Sequence, residues 1–259
     1  MRGIILAAGS GTRLSAYHGQ LPKSLLEVAG RPIIDHVLEA FSRAGVTELS
    51  VVVGYKGDVL KERIGDGARH GLKIQYVTNP DYYMGNALSL YAARSYAEDA
   101  PFLLSMADHM IGPDVLTRLL EGPSWANALA VDFTLSPRQV EEGTRVLVNE
   151  DGLVTQMGKA LSVYNGIDAG AFRLTPSIFR AIHDLMDEQG PDCELSQGMT
   201  RMIQDGSPLL ACDISGCFWY DVDTGEDLKF VRETLERRNV QEKRGTLERE
   251  REWTPRKTG

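Results

Sequence analysis

Residues 3–14 read GIILAAGSGTRL, an apolar run that breaks into small residues and then offers one arginine. The run from Ile4 to Ala8 predicts a buried strand, and the glycines after it predict a tight turn. The backbone N–H groups of such a turn can approach an anion closely, because few side chains stand in the way. Its spacing matches neither GxxxxGK[ST] nor GxGxxG. The stretch is therefore a candidate anion-binding turn of another kind, although a glycine-rich turn after a strand is more often only structural.

Apolar strands alternate with amphipathic helices through the first half of the chain. We predict strands at residues 2–8, 48–54, 73–79, 100–108 and 128–134. Crossover helices are predicted at residues 31–45, 85–98 and 112–122. This alternation is typical of an α/β fold of Rossmann-like type, with a mostly parallel sheet and helices on both faces.

The second half of the chain has a different pattern, which predicts a smaller α+β lobe. A hairpin is expected at 144–158, a strand at 168–175, and helices at 176–188 and 194–204. A last helix begins near Glu226 and gives way to a charged run. We predict one two-lobed domain over residues 1–238 and a charged tail or linker over 239–259, which has too few apolar residues to order itself.

Composition limits the partners. The 259 residues carry a formal net charge of −8, which argues against a general binder of nucleic acid or membrane surfaces and favours a small-molecule partner. No apolar run approaches the ~20 residues that span a bilayer. Cys193, Cys212 and Cys217 form no CxxC pair, so we expect a soluble protein of the reducing cytoplasm.

Two cations follow the opening turn. Arg13 comes directly after it, and Lys23 follows ten residues later behind Pro22. Either cation alone would ordinarily be a solvated surface charge. Arginine can make bidentate contacts with phosphate oxygens that backbone amides already hold. Their spacing after this turn therefore predicts polyphosphate binding.

Three aspartates form a possible metal site. Asp108 ends an apolar strand, where open α/β sheets bind ligands, although a lone aspartate there is often only a cap. Asp221 and Asp223 alternate on a short predicted strand, with Thr224 as the expected cap of the last helix. Their carboxylates could hold Mg²⁺, which prefers oxygen ligands. The five histidines, at positions 18, 36, 70, 109 and 183, form no ligand spacing, and we expect them to be structural or solvated.

The combination of LAAGSGTRL (6–14) with LPKSLLEVAGRPII (21–34) resembles the signature of the sugar-phosphate nucleotidyltransferases. Over about residues 1–238 the chain is most similar to their CTP:inositol-1-phosphate cytidylyltransferase group, through segments 85–109, 158–179 and 219–228. The resemblance implies a Mg²⁺-dependent enzyme that joins CTP and inositol 1-phosphate to give CDP-inositol and pyrophosphate. The product would serve di-myo-inositol phosphate synthesis, through a membrane-embedded transferase in the same or another chain.

The resemblance also implies roles for individual residues. Those that carry the chemistry are Arg13, Lys23 and Asp108, and the metal ligands are Asp108, Asp221 and Asp223. Lys159 is the expected contact of the acceptor phosphate, and Asp168 that of the acceptor hydroxyls. The nucleotide contacts are Leu6, Ala7, Ala8, Gly9, Gly11, Thr12, Arg13, Lys23, Asn79, Gly85, Asn86 and Ala87.

Other functions remain open from the sequence. The acceptor could be phosphocholine, 2-aminoethylphosphonate or a hexose 1-phosphate. A choline head would call for an aromatic cage, for which the candidates are Tyr82, Tyr83, Tyr164, Trp219 and Tyr220. The chain could also be a nucleotide-sugar-binding regulatory subunit without turnover. The base of the nucleotide and the oligomeric state are not fixed by these patterns.

Overall fold

The computed structural model describes residues 1–11, 14, 21–235 and 237. The predictions for Thr12, Arg13 and the tail at 239–259 lie outside the described residues. The strands are β1 (Arg2–Ala7), β2 (Glu27–Val28), β3 (Arg31–Pro32), β4 (Glu48–Val53), β5 (Lys73–Thr78), β6 (Phe102–Met106), β7 (His109–Ile111), β8 (Asn127–Asp132), β9 (Arg145–Val148), β10 (Val154–Gly158), β11 (Gly166–Leu174), β12 (Leu209–Asp213) and β13 (Trp219–Asp221). The helices are α1 (Ile33–Arg43), α2 (Gly57–Ile64), α3 (Asn86–Ala92), α4 (Arg94–Ala97), α5 (Pro113–Glu121), α6 (Pro137–Glu142), α7 (Ser177–Gln189), α8 (Leu195–Gln204) and α9 (225–235).

Four parallel strands form the centre of the main sheet, in the order β5-β4-β1-β6. The chain leaves β1 towards β4 and returns on the other side of β1 as β6. The loops after β1 and β6 therefore diverge, which opens a crevice at the carboxyl ends of these strands. The N–H of Ala107 donates to the carbonyl of Leu6 at 2.9 Å and keeps the two strand ends together.

The second half of the chain extends this sheet mainly by antiparallel pairing. β11 pairs with β6, β8 and β9, and the hairpin partner of β9 is β10. The exception is β12, which runs parallel to β8. The predicted hairpin at 144–158 and the predicted α+β lobe are thus confirmed. The predicted helix at 85–98 is instead two short helices, α3 and α4.

Alternate residues of β1 pack on opposite faces of the sheet. Ile5 and Ala7 belong to the core cluster that contains residues of α1 and α5. Ile4 and Leu6 belong to the cluster that contains residues of α3 and α7. A strand covered on both faces reads as a continuous apolar run, as this one does. The Rossmann-like prediction, with helices on both faces, is confirmed.

A third apolar cluster packs the segment around the start of α9 against the segment around β2. Val222, Leu228 and Val231 pack with Leu26 and Val28. None of the helices in the part of the chain that the structure describes is long and apolar enough to cross a bilayer.

The start of α9 is fixed by a reciprocal cap. The N–H of Thr224 donates to Asp227 Oδ2 at 2.7 Å, and the N–H of Asp227 donates to Thr224 Oγ1 at 3.2 Å. The predicted cap is therefore confirmed. The strand β13 ends at Asp221, so Asp223 does not alternate with Asp221 on a strand but precedes the cap.

Candidate active site

Lys23 lies at the centre of the crevice and is only 6% exposed. It opens a short 3₁₀ turn, Lys23–Leu25, directly after Pro22. Gly11 makes room for it: Gly11 has φ +59°, and a Cβ there would lie 2.5 Å from Lys23 Cβ. The glycine of the opening turn thus admits the lysine.

The ammonium of Lys23 contacts three carboxylates. Nζ lies 2.7 Å from Asp108 Oδ2, 2.5 Å from Asp223 Oδ1 and 3.7 Å from Asp221 Oδ1. Burial alone would lower the pKa of Lys23, but the attraction of these carboxylates outweighs it and raises that pKa above its ordinary value. Lys23 is therefore a permanent cation. We call Lys23, Asp108, Asp221 and Asp223 the charge cluster.

A short antiparallel ribbon brings the last aspartates to Asp108. β13 pairs with β7 in the register Asp221↔His109, and Val222 N donates to Asp108 O at 3.4 Å. Asp223 lies two residues after Asp221 in the chain and is 8% exposed. Burial and the neighbouring Asp221 raise the pKa of Asp223, while Lys23 opposes the rise. With three carboxylates around one ammonium, the cluster has more acidic than basic groups.

His109 belongs to the same site, which corrects the expectation that every histidine is structural or solvated. Its Nε2 lies 3.3 Å from Asp221 Oδ2, and its Nδ1 lies 3.0 Å from the carbonyl of Ala169. Burial lowers the pKa of His109, but Asp221 more than offsets this and raises it to about 10. The imidazolium thus donates to both oxygens and holds Asp221 in place.

Gly170 is required by this arrangement. Its φ is +72°, and a Cβ at this position would lie 2.0 Å from His109 Nδ1. Sequence reasoning missed both residues, since their contact joins positions 61 apart in the chain. The one local signal was that His109 directly follows Asp108 at a strand end.

The donors in the cluster fit a divalent cation. Ligand atoms of Asp108, His109 and Asp221 lie within 4.8 Å of one another, but both ring nitrogens of the imidazolium carry protons, so the two carboxylates are the donors open to a cation. Carboxylate oxygens suit Mg²⁺, and the excess of acidic groups in the cluster favours a cation. Asp223, the third predicted ligand, contacts Lys23 instead and lies beside this donor set.

Two cavities meet at the charge cluster. The first, of about 270 Å³, is lined by Leu6–Gly9, Gly11, Lys23 and Ser89. Most of the predicted nucleotide contacts line it, so we call it the nucleotide-side cavity. The second, of about 500 Å³, is lined by Lys159, Asp168 and the residues from 194 to 197. It contains the two predicted acceptor contacts, so we call it the acceptor-side cavity. Asp108 and Asp223 line both, and so do Asn86 and Met106. The charge cluster therefore forms part of the wall of both cavities.

Most predicted nucleotide contacts line the nucleotide-side cavity, but some lie behind its wall. Asn79 is 2% exposed, and its Nδ2 donates to Ser89 Oγ at 3.0 Å. Gly85 and Ala87 are also buried. These three residues line neither cavity and support the wall around Ser89 and Asn86.

The acceptor-side cavity contains the two residues predicted for it. Lys159 is exposed at the cavity mouth, and Asp168 accepts a hydrogen bond from Gly170 N at 2.7 Å. Burial raises the pKa of Asp168 to about 6. This carboxyl can therefore accept or donate a hydrogen bond near neutral pH.

The residues proposed for an aromatic cage do not assemble into one. Trp219 and Tyr220 line the acceptor-side cavity but are only 5% and 7% exposed. Tyr164 has the guanidinium of Arg145 over its ring. Tyr82 and Tyr83 contact each other and line neither cavity.

Comparisons with known proteins identify the family and the fold of the chain. Residues 3–147 match the model of the MobA-like NTP transferase domain. The chain is 35% identical over 235 residues to a bifunctional IPC transferase and DIPP synthase of Rubrobacter xylanophilus, covering 89% of this chain and 51% of that protein. A protein of the same name from Thermococcus kodakarensis is 34% identical over 241 residues, covering 92% and 51%. The chain thus spans about half the length of these relatives.

Among solved structures, the inositol-1-phosphate CTP transferase from T. maritima superposes with a TM-score of 0.76. The two are 25% identical, and the match covers 87% of this chain and 90% of that one. The resemblance seen in the sequence is confirmed at the level of both family and fold.

Substitution of Gly170 tests whether His109 positions Asp221. A side chain at Gly170 would displace His109, and outer-shell contacts of metal ligands change metal affinity about 10- to 100-fold. We therefore expect Gly170→Ala to weaken Mn²⁺ binding about tenfold, measured by electron paramagnetic resonance of the free ion. Gly152→Ala is the matched control: Gly152 also has positive φ, but a Cβ there meets nothing within 4 Å. Equal Mn²⁺ affinity in the two variants would contradict the role of His109.

The raised pKa of Asp168 predicts that the difference in stability between Asp168→Asn and the wild type depends on pH. Its pKa is raised from 3.8 to about 6, so between these values the native state binds the proton more tightly than the unfolded state. Stability from this group is present at low pH and is lost as the pH rises through 6. We therefore expect Asp168→Asn to be more stable than the wild type at pH 7, by about 3 kcal/mol, and the advantage to vanish below about pH 4.

Denaturant unfolding of both proteins from pH 4 to pH 8 measures this difference. Asp151→Asn, in an exposed hairpin turn, controls for the loss of a carboxylate. An advantage of Asp168→Asn that is the same at both ends of the pH range would refute the assignment.

Proposed function

Since the chain belongs to the MobA-like NTP transferase domain family, we propose that it is a cytidylyltransferase that joins CTP and inositol 1-phosphate. An oxygen of the acceptor phosphate attacks the α-phosphorus of CTP. The new P–O bond forms as the bond to the β-phosphate breaks, which releases pyrophosphate and CDP-inositol. The observation that carries the proposal is the meeting of two cavities at one charge cluster.

The nucleotide-side cavity suits a triphosphate. Its floor is the glycine-containing turn at Ala8–Gly11, which offers backbone N–H groups, and Lys23 supplies a buried cation. We propose that Lys23 contacts the α-phosphate and that Arg13 and Thr12 contribute to the β- and γ-phosphates. Charge neutralisation and positioning are the main demands of this chemistry, since the acceptor phosphate ionises with a pKa near 6 and needs no general base.

A divalent cation, which we propose to be Mg²⁺, would be held by Asp108 and Asp221, with Asp223 beside them. When bound, it would neutralise charge on the phosphates of both substrates. The chain's own residues complete the site. Lys23 keeps the carboxylates together, and His109 orients Asp221.

The acceptor-side cavity favours a phosphorylated polyol over phosphocholine. Gln139, Thr144 and Asp168 offer polar groups suited to several hydroxyls, and Lys159 offers a cation to a phosphate. The two aromatic residues of the cavity are almost buried and give a quaternary ammonium little ring surface. The names of the relatives and of the T. maritima structure support inositol 1-phosphate as the acceptor.

The wider setting follows from the same proposal. All three cysteines are free thiols, which agrees with a cytoplasmic location. We propose that a second activity, corresponding to the DIPP synthase in the name of the bifunctional relatives, consumes the CDP-inositol.

A substrate screen tests the proposal. Four nucleoside triphosphates are combined with inositol 1-phosphate, phosphocholine, 2-aminoethylphosphonate and glucose 1-phosphate, and released pyrophosphate is measured with and without Mg²⁺. We expect the highest kcat/KM for CTP with inositol 1-phosphate and no turnover without a divalent cation. Preference for another acceptor would overturn the substrate assignment. Binding of CTP without turnover on any acceptor would favour a regulatory subunit.

Lys23 gives a sharper test of the mechanism. We expect Lys23→Met to lower kcat about 10²-fold or more, the scale of losing one preorganised electrostatic contact. Lys73→Ala, at an exposed position on β5, should leave kcat unchanged. Circular dichroism establishes that the Met variant is folded. A kcat within threefold of the wild type at saturating CTP would remove Lys23 from the mechanism.

A further inference from the structure

The walls of the two cavities touch at a contact between Gly85–Ala87, at the start of α3, and Asp192–Leu195, at the start of α8. We call this contact the junction. Three hydrogen bonds cross it, from Gly85 N to Asp192 Oδ1 at 2.9 Å, from Ala87 N to Cys193 O at 3.1 Å, and from Leu195 N to Asn86 Oδ1 at 2.6 Å. Their donors and acceptors lie more than 100 positions apart in the chain.

The junction is also tight sterically. A Cβ on Gly85 would lie 2.1 Å from the carbonyl oxygen of Cys193, a separation that no side chain could accept. The two backbones are therefore in direct contact. A shift of the start of α3 towards α8 therefore displaces the start of α8, and a shift away from it breaks the three hydrogen bonds.

Asn86 is the one side chain of the junction that lines both cavities. The N–H of Leu195 requires an acceptor, so Oδ1 of Asn86 is the atom that faces α8, and the amide Nδ2 remains as the donor of this side chain. The residues that Asn86 holds through Leu195 are those at 194–197, which line the acceptor-side cavity.

We propose that Asn86 is a positioning residue for the acceptor wall, and that the junction couples the two substrate sites. This inference rests on the proposed function for the identity of the substrates. Nucleotide bound against Asn86 restricts the motion of the start of α3. The contacts of the junction then restrict the motion of the start of α8. The acceptor then binds more tightly to the nucleotide complex than to the free protein. By linkage, the acceptor tightens nucleotide binding by the same factor.

Two substitutions of Asn86 separate its roles. Asn86→Asp keeps an oxygen for Leu195 N but removes the amide donor, whereas Asn86→Ala removes both. We expect Asn86→Ala to raise the KM of the acceptor about tenfold, as for a buried donor left without its partner. Asn86→Asp should keep the acceptor KM within about threefold of the wild type while it raises the KM of CTP. An acceptor KM unchanged in Asn86→Ala would overturn the proposal.

Asp192 supplies an independent variant, because it is exposed and lines neither cavity. Asp192→Ala removes one junction bond, and Asp192→Asn retains an oxygen acceptor as its control. We expect the acceptor KM to rise about threefold in the first variant only. Equal acceptor KM values in the two variants would exclude transmission through the junction.

Hydrogen exchange tests the junction without any substrate turnover. We expect the amide of Leu195 to exchange about tenfold faster in Asn86→Ala than in the wild type or Asn86→Asp, and saturating CTP to slow exchange over residues 192–197 in the wild type. Exchange that is the same in all three proteins would overturn the inference. The exchange measurement does not depend on turnover. A substrate screen that shows no activity would therefore overturn the proposed function but not the role of the junction.

Discussion

The buried ammonium of Lys23 is the interaction on which the rest of the structure depends. An ammonium placed in a protein interior without a partner loses several kcal/mol of hydration. Here the loss is offset by carboxylates at 2.5 and 2.7 Å, which come from positions 200 and 85 residues away in the chain. The first and last segments of the domain must therefore meet at this point for the lysine to be accommodated.

The fold meets that requirement with few elements. The diverging loops after β1 and β6 put the glycine-containing turn and Asp108 on either side of one crevice. The β7–β13 ribbon delivers the later aspartates, and the apolar contacts of Val222, Leu228 and Val231 hold that ribbon against the segment that follows Lys23. Each part has little freedom to move independently, so the charges remain preorganised.

The sequence predicts the local features and those governed by general topology. Strand β1, its glycine turn and Asp108 at the end of β6 follow from apolar periodicity and the rule for parallel sheets. Other features depend on pairings between distant residues, such as His109 with Asp221, Gly170 with His109, and Asn86 with Leu195. No local pattern encodes these contacts, since each residue alone has an ordinary structural interpretation. The resemblance supplied Lys159 and Asp168, and the structure places both in one cavity.

The balance of charge bears on the order in which substrates bind. Under the proposed function, an acceptor phosphate that enters the larger cavity would meet Lys159 and then approach the carboxylates of Asp108, Asp221 and Asp223, which outnumber the two cations beside them, Lys23 and His109. Like charges at such distances repel in a partly buried site. In the proposed mechanism, a divalent cation held by Asp108 and Asp221 would offset part of this negative charge, and the proposed junction at Asn86 would order the acceptor wall at the same time. In the proposed mechanism, the charge of the cluster and the junction therefore both favour binding of the nucleotide before the acceptor.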